Sequence, residues 1–437
     1  MFGFGALRAL RLRGQIREQE IFYGALRQSN EIARWQLESF NRHWPELLRT
    51  VPYLQRLSKE LALPRQFSGW QAFRDALPIT DRKTLQENRQ AIADASQAPD
   101  YWRSTGGSTA EPIQIPAWNS EIGVATRDIW YARKWFGIAP ADRLFLLWGH
   151  SHLLGSDIKG RLNSANRRLK DAMLGYCRFS AYDLSAAVLR TAADRLLAFK
   201  PAYLLAYAAA LDRFARVNQD RRAAFHKLNL KVAIATAESF PTRDSAGLIE
   251  DVLGCPVAME YGAVETGPIA HQRRRGGYGV FWRHYYVESI DASSMAGARE
   301  ILVTSLYPRC VPLVRYKIGD LITINPNGGD CAQEFESVIG RCNDYVVLPN
   351  GALVHSEAFS HAVKDLAGIL AYQVVQESRE RITLRCVGAP GRDSDASVEI
   401  QRRLERILPG ITGVQVQWVD ALEQTIAGKS RRIVRAA

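Results

Sequence analysis

The chain has 437 residues, of which 47% are hydrophobic and 23% charged, with a net charge of +12. That balance excludes disorder over most of the length and fits a soluble globular protein of two to three domains, or one large domain plus a smaller one. The positive charge admits a nucleic acid, an anionic membrane surface or an anionic ligand. The basic residues are spread along the chain, with local clusters at 272–277 and 429–435, and no nucleic-acid module accompanies them, which favours a polyphosphate-bearing ligand over DNA or RNA.

The first residues, MFGFGALRALRLRGQIREQE, interleave arginines with Phe2, Phe4, Leu7, Leu10 and Leu12. They lack the uninterrupted apolar stretch and cleavage site of a signal peptide. An amphipathic helix is expected, its apolar stripe docked on the protein itself; peripheral membrane contact by residues 1–20 is the other reading. No apolar run reaches the ~18–20 residues that a membrane span requires. Residues 15–100 read mainly as helices: Ile32, Trp35, Leu37, Phe40, Trp44 and Leu47 recur near helical spacing, and Thr80 or Asp81 is placed to cap the helix that begins in ITDRKTLQ.

Residues 103–112 read RSTGGSTAEP. Glycines there let a phosphate approach the backbone, but the Walker pattern is absent, so the stretch reads either as a phosphate-binding loop or as a plain turn. Beyond it, apolar runs at 143–149, 202–207 and 231–236 resemble buried strands, with helical stretches such as 185–199 between them. This alternation predicts an α/β fold with a largely parallel sheet, whose ligands bind beyond the carboxyl ends of the strands. A more β-rich section follows at 284–290, 299–307 and 320–325. A boundary is expected near Gly340: residues 1–340 form a large domain, with 1–100 a mainly helical lead-in, and 341–437 a small α+β domain. Cys177, Cys255, Cys310, Cys331, Cys342 and Cys386 form no C-x-x-C pair and read as scattered reduced thiols of a cytoplasmic protein. His150 and His152 form an H-x-H without a third ligand nearby in sequence, a structural or substrate-facing pair rather than a metal site.

Four further stretches put glycine beside a charged residue at a strand end: AMEYGAVETGP with Tyr261, Gly262 and Glu265; VPLVRYKIGDL with Arg315, Tyr316, Gly319 and Asp320; VIGRCNDYV with Gly340, Arg341, Asn343 and Asp344; and TIAGKSRR with Gly428 and Lys429. Each alone is an ordinary loop. In this order they resemble the adenylate-forming (acyl- and aryl-CoA ligase) superfamily, and within it the phenylacetate-CoA ligase branch and its capsule-biosynthesis, CapK-like relatives. The resemblance covers almost the whole chain. KPAYLLAYAAALDRFA and, most diagnostically, EILVTSLYPRCVPLVRYKIGDL are close to stretches of that branch.

The resemblance implies a large adenylation domain and a small mobile one. It implies a reaction in which ATP activates a carboxylic acid to an acyl-AMP with release of pyrophosphate, before the acyl group passes to CoA or another thiol. Joining a carboxylate to AMP supplies a leaving group, and the chemistry rests on positioning and charge neutralisation. On this reading Ser104, Thr105, Gly106, Gly107, Ser108 and Thr109 wrap the β- and γ-phosphates, and Glu265 holds Mg²⁺. Tyr261, preceding Gly262, lies against the adenine, Asp320 accepts from the ribose hydroxyls, and Arg341 contacts ribose or phosphate. Lys429 bridges the attacking carboxylate and the α-phosphate. Gly340 and Asn343 fall at the hinge, and Glu238, in a turn like the branch's G-A-E-P, borders the acid and nucleotide.

The chain departs from the family's usual residues at Gly107, Ala110, Val264 and Asn343, and shows no cysteine of the zinc site that some members carry. A hydroxyl or amine acceptor in polysaccharide or natural-product biosynthesis, and a non-catalytic nucleotide-binding relative, are the competing readings. Trp130, Tyr131, Trp135, Trp148, Tyr203 and Tyr207 are candidates to line an aromatic-acid pocket, against ordinary core packing. Homodimer formation stays open.

Overall fold

The computed structural model describes residues 3–104, 114–148, 169–181, 184–292, 297–324, 333–341, 345–350, 353–355, 359, 363, 369–388, 393–408, 410–423 and 432–435. The lead-in consists of helices Gly3–Ala25, Ser29–Thr50, Pro52–Leu61, Trp70–Ala76 and Arg82–Glu87. Their boundaries follow local chemistry. Pro52 occupies the first turn of its helix, where its missing N–H costs nothing, and that helix stops at Ala62 in the left-handed region (φ 49°). Asp81 caps the last helix by accepting from Thr84 N at 2.8 Å. Phe40, Trp44, Phe67 and Phe73 form an aromatic core that also takes in Tyr286, Leu306 and Val314, so the lead-in is fused to the β-rich section.

Of the first helix's described side chains, Leu12 and Ile16 are buried in the protein's own core. Leu12 and Ile16 pack with Trp130, Phe136, Leu144 and Ile234. Gln19 donates to Asp128 Oδ1 at 3.0 Å, and His284 Nδ1 lies 2.7 Å from Asp128 Oδ2. Leu10 of the same helix is exposed, and the side chains of Phe2, Phe4 and Leu7 lie outside the described residues. Among the described residues no helix is long and apolar enough to cross a membrane.

The expected α/β architecture is present. An eight-stranded sheet runs in the order Glu334–Phe335, Tyr278–Val280, Gly267–Gln272, Val257–Ala263, Ala233–Thr236, Tyr203–Tyr207, Leu144–Leu147, Tyr176–Phe179. The last five of these are parallel and the first four antiparallel to their neighbours, Val257–Ala263 belonging to both sets. Alternate residues serve opposite faces, as the period of two demands. Phe145, Leu147, Ala206 and Ala235 pack under helices Ala186–Phe199, Ala208–Val217 and Ser245–Leu253. Leu144, Leu146, Tyr203 and Ile234 face Trp130 and the first helix.

A second, four-stranded antiparallel sheet follows: Tyr285–Asp291, Arg299–Ser305, Tyr316–Thr323, Ser337–Arg341. A third has the order Gly413–Trp418, Arg381–Gly388, Ile369–Gln376, Ile433–Arg435, covered by helix Asp393–Ile407. Its core, including Val346, Phe359, Val374, Leu384, Ile400, Leu404 and Ile433, is drawn wholly from this last part of the chain.

Candidate functional site

The candidate site lies where the eight-stranded and four-stranded sheets meet. Strand Val257–Ala263 leaves the parallel array and folds back through a tight turn into Gly267–Gln272, with a register shift between Tyr261 and Gly262. Gly262 is required by close packing: a Cβ there would stand 2.2 Å from the Gly267 carbonyl oxygen and 2.8 Å from Pro268 Cα. Thr266 braces the turn from within, its Oγ1 accepting from Ala263 N at 3.0 Å and donating to the Gly267 carbonyl at 2.7 Å. Val264, which stands where the resemblance expects threonine, lies in the same turn.

Three of the expected residues are brought together here. The Tyr261 hydroxyl donates to Asp320 Oδ2 at 2.9 Å, joining the two sheets through a buried bond. Its ring meets Tyr278 and Phe335 edge-on. Glu265 Oε1 lies 3.5 Å from both Arg82 Nη1 and the Tyr316 hydroxyl, and the residue is buried. In the four-stranded sheet Asp320 stands directly opposite Arg341, and Leu321 opposite Gly340. Gly340 has φ 145°, which disfavours any side chain at that position.

A second group surrounds the carboxyl ends of the parallel strands. Ala237 takes a positive φ of 72° immediately after strand Ala233–Thr236 and turns the chain. Glu238 then accepts from Ala209 N at 3.1 Å, capping the first turn of helix Ala208–Val217. Tyr207, the last residue of its strand, packs against Trp148, their ring centroids 4.2 Å apart. These are the two members of the aromatic set at strand ends. Trp130 and Tyr203 are core residues, Tyr131 stacks on Tyr23 of the first helix, and Trp135 packs edge-on against buried His271. Those four are packing residues, because the face of helix Asn119–Lys134 they occupy or meet is turned to the sheet and to the first helix.

Arg432 donates to the Phe240 carbonyl, which ties strand Ile433–Arg435 to the loop carrying Glu238. Ser104 ends strand Tyr101–Ser104 and pairs with Gln114 of the returning strand. Thr105, Gly106, Gly107, Ser108, Thr109, Ala110, Asn343 and Lys429, and the side chains of Ser104 and Arg341, lie outside the described residues, as do His150 and His152.

Sequence reasoning missed the charges behind the site. Arg309 is 1% exposed, and its guanidinium donates to the carbonyls of Glu265 at 2.6 Å and Thr266 at 2.9 Å. It also lies 3.3 Å from Glu121 Oε2, which accepts from Arg103 at 2.9 Å. Glu121 Oε1 accepts from Trp118 N and Cys310 N, both at 3.1 Å. Against burial, the Glu121 carboxylate and the two turn carbonyls hold Arg309 in its charged form, and burial raises Tyr285 well above the ordinary tyrosine range. Tyr285 therefore stays a donor, to the Thr266 carbonyl at 2.5 Å. The available signal was an arginine inside the apolar stretch LYPRCVPLV, since a charge in such a setting needs partners. Arg315 has a different task. It donates to the carbonyls of Arg74 and Leu77 at 2.6 Å each and meets Glu288 at 3.3 Å, which fastens the end of helix Trp70–Ala76 to the second sheet.

Comparison with known proteins agrees with this architecture. Residues 346–436 match the CapK C-terminal domain. The chain is 21% identical over 423 residues to protein CapK of Staphylococcus aureus, covering 93% of this chain and 90% of that one. It is 24% identical over 254 residues to a phenylacetate-coenzyme A ligase of Aromatoleum evansii, covering 54% and 56%. Among solved structures, 2-hydroxyisobutyryl-CoA ligase in its postadenylation state matches with a TM-score of 0.72 at 16% identity, over 93% of this chain and 90% of that one. The same ligase in an open conformation with 2-HIB-AMP and CoA gives 0.58. The chain thus has the fold of the adenylate-forming ligases, with residues 346–436 similar to the CapK C-terminal domain, in line with the resemblance that its motifs carried.

Proposed function

We propose that the protein uses ATP to activate a carboxylic acid to an acyl-AMP, releasing pyrophosphate, and passes the acyl group to the thiol of CoA. The observation that carries this reading is the convergence of Tyr261, Glu265 and Asp320, from separate sequence stretches, at the junction of two sheets. Asp320 has a carboxylate held by the Tyr261 hydroxyl, an acceptor group of the kind that suits the paired hydroxyls of a ribose. Arg341, opposite it in register, comes from the strand that leads out of the large domain at residues 340–341. Residues 341–437 then act as a mobile domain, hinged at Gly340 and Asn343, that delivers Lys429 to the α-phosphate and the attacking carboxylate.

The residues present fit a magnesium ion. Among the described residues no cluster of three His, Cys, Asp or Glu side chains offers a cage. Mg²⁺ bound with a triphosphate needs one or two carboxylates only, the rest of its shell being phosphate oxygen and water. Glu265 supplies one, and its contacts to Arg82 and Tyr316 at 3.5 Å are long enough to yield. The ion would neutralise phosphate charge. The chain's own residues hold the nucleotide and set the line of attack.

On the acid side, the packing of Trp148 on Tyr207 beside two strand ends supports an acid with an aromatic or similarly flat apolar body. The test is a hydroxylamine-trapping screen over a broad panel of acids with ATP and Mg²⁺, which reports the acyl-AMP without an acceptor. Adenylation predicts hydroxamate from a subset of acids, and thioester formation when CoA replaces hydroxylamine.

A further inference from the structure

Two parts of the chain expected to touch the triphosphate are connected behind the site by buried charge. The chain Arg103–Glu121–Arg309 runs between them, with contacts of 2.9 and 3.3 Å. Arg103 is the residue immediately before Ser104, where strand Tyr101–Ser104 enters the segment 105–113. At the other end Arg309 donates to the main-chain carbonyls of Glu265 and Thr266. Glu121 is 2% exposed and is fixed further by two backbone N–H groups. Arg309 thereby brings a guanidinium charge inside the protein, facing Glu121. That charge is met by carbonyl dipoles of the Glu265 turn, an arrangement that holds only while the turn keeps its shape. A buried ionic network of this kind is costly for stability alone, and an apolar core would fill the same space more cheaply. Its layout makes sense as a device that sets two segments at a fixed separation.

We infer that Arg309 is a positioning residue for the triphosphate and its divalent cation. Through two carbonyls it fixes the turn that carries Glu265, and through Glu121 it ties that turn to strand Tyr101–Ser104. This rests on the adenylation reading of the site. The β- and γ-phosphates and the cation depend on both segments, whereas AMP depends on Tyr261 and Asp320. Loosening the network therefore weakens MgATP binding selectively.

The experiment compares wild type with Arg309→Gln, Arg309→Lys and Arg103→Gln. Folding is followed by thermal unfolding, and the dissociation constants for MgATP and for AMP by titration calorimetry. The expected result for Arg309→Gln is MgATP binding weakened tenfold or more, with AMP within about twofold of wild type. Arg309→Lys recovers part of the loss, because an ammonium still donates to one carbonyl and faces Glu121. Should Arg309→Gln fail to fold, Arg103→Gln carries the test, since Arg103 is partly exposed and sits at the loop end of the network. Equal weakening of MgATP and AMP, or no weakening of either, overturns the inference while leaving adenylation intact. A wild-type protein that binds neither nucleotide overturns both.

Discussion

The turn that carries Glu265 and the loop that carries Glu238 follow adjacent parallel strands of one sheet, yet they are held in different ways. The Glu265 turn is locked by a glycine that no other residue can replace, by Thr266, by Tyr285 and by the buried Arg309 guanidinium. The Glu238 loop turns on Ala237 at positive φ, is capped onto Ala209, and takes one bond from Arg432 across to the last part of the chain. On the proposed function a nucleotide is the same ligand in every turnover, so the Glu265 side gains from rigidity. On the same reading the Glu238 side, with its half-buried aromatics, is the part that varies with the acid.

The largest effect that sharpens this contrast is expected from Glu265→Gln. It keeps the size of the side chain and removes its charge, and acid-dependent hydroxamate formation should fall by about 10²–10³-fold. Asp320→Asn follows. It disturbs the buried bond with Tyr261 and the proposed ribose contact, and should raise the KM for ATP by about 10- to 100-fold while leaving the KM for the acid nearly unchanged. Gly262→Ala tests rigidity itself. The added methyl meets main-chain atoms at 2.2 Å and 2.8 Å, and urea unfolding should show a loss of about 1–3 kcal/mol. The smallest effect, and the one that tests the other side, is Trp148→Ala. It removes the ring packed on Tyr207 and should raise the KM for the acid by about tenfold with the KM for ATP unaltered. If Trp148→Ala instead impaired ATP and acid equally, the division into two sides would fail.

How much of this was legible in the sequence depended on distance along the chain. The parallel strands, the helices between them and the Asp81 cap were readable because each is set by contiguous residues. Tyr261, Gly262 and Glu265 fall within five residues, and Asp320 lies in a motif of its own, though inside strand Tyr316–Thr323 rather than at a strand end, so both could be marked before their meeting was known. The reason for Gly262 was not visible, since the clash it avoids is with the returning strand. Arg103, Glu121 and Arg309 were missed for a related cause. Glu121 reads as an ordinary acid in the first turn of a helix, and nothing local shows that it reaches a backbone amide 189 residues away. The aromatic set shows the converse: six rings looked equivalent by type, and the structure gives them different neighbours, with Trp130 and Tyr203 in the core, Tyr131 on Tyr23, Trp135 against His271, and Trp148 and Tyr207 together at strand ends.

The central claim is adenylation, and exchange of labelled pyrophosphate into ATP tests it most directly. With an acid found by the hydroxylamine screen, the wild-type protein is expected to support acid-dependent exchange, and Lys429→Ala to lose most of it while still binding ATP. Absence of exchange across a broad panel of acids, from a protein that binds ATP, would contradict the account and leave a nucleotide-binding relative without ligase chemistry.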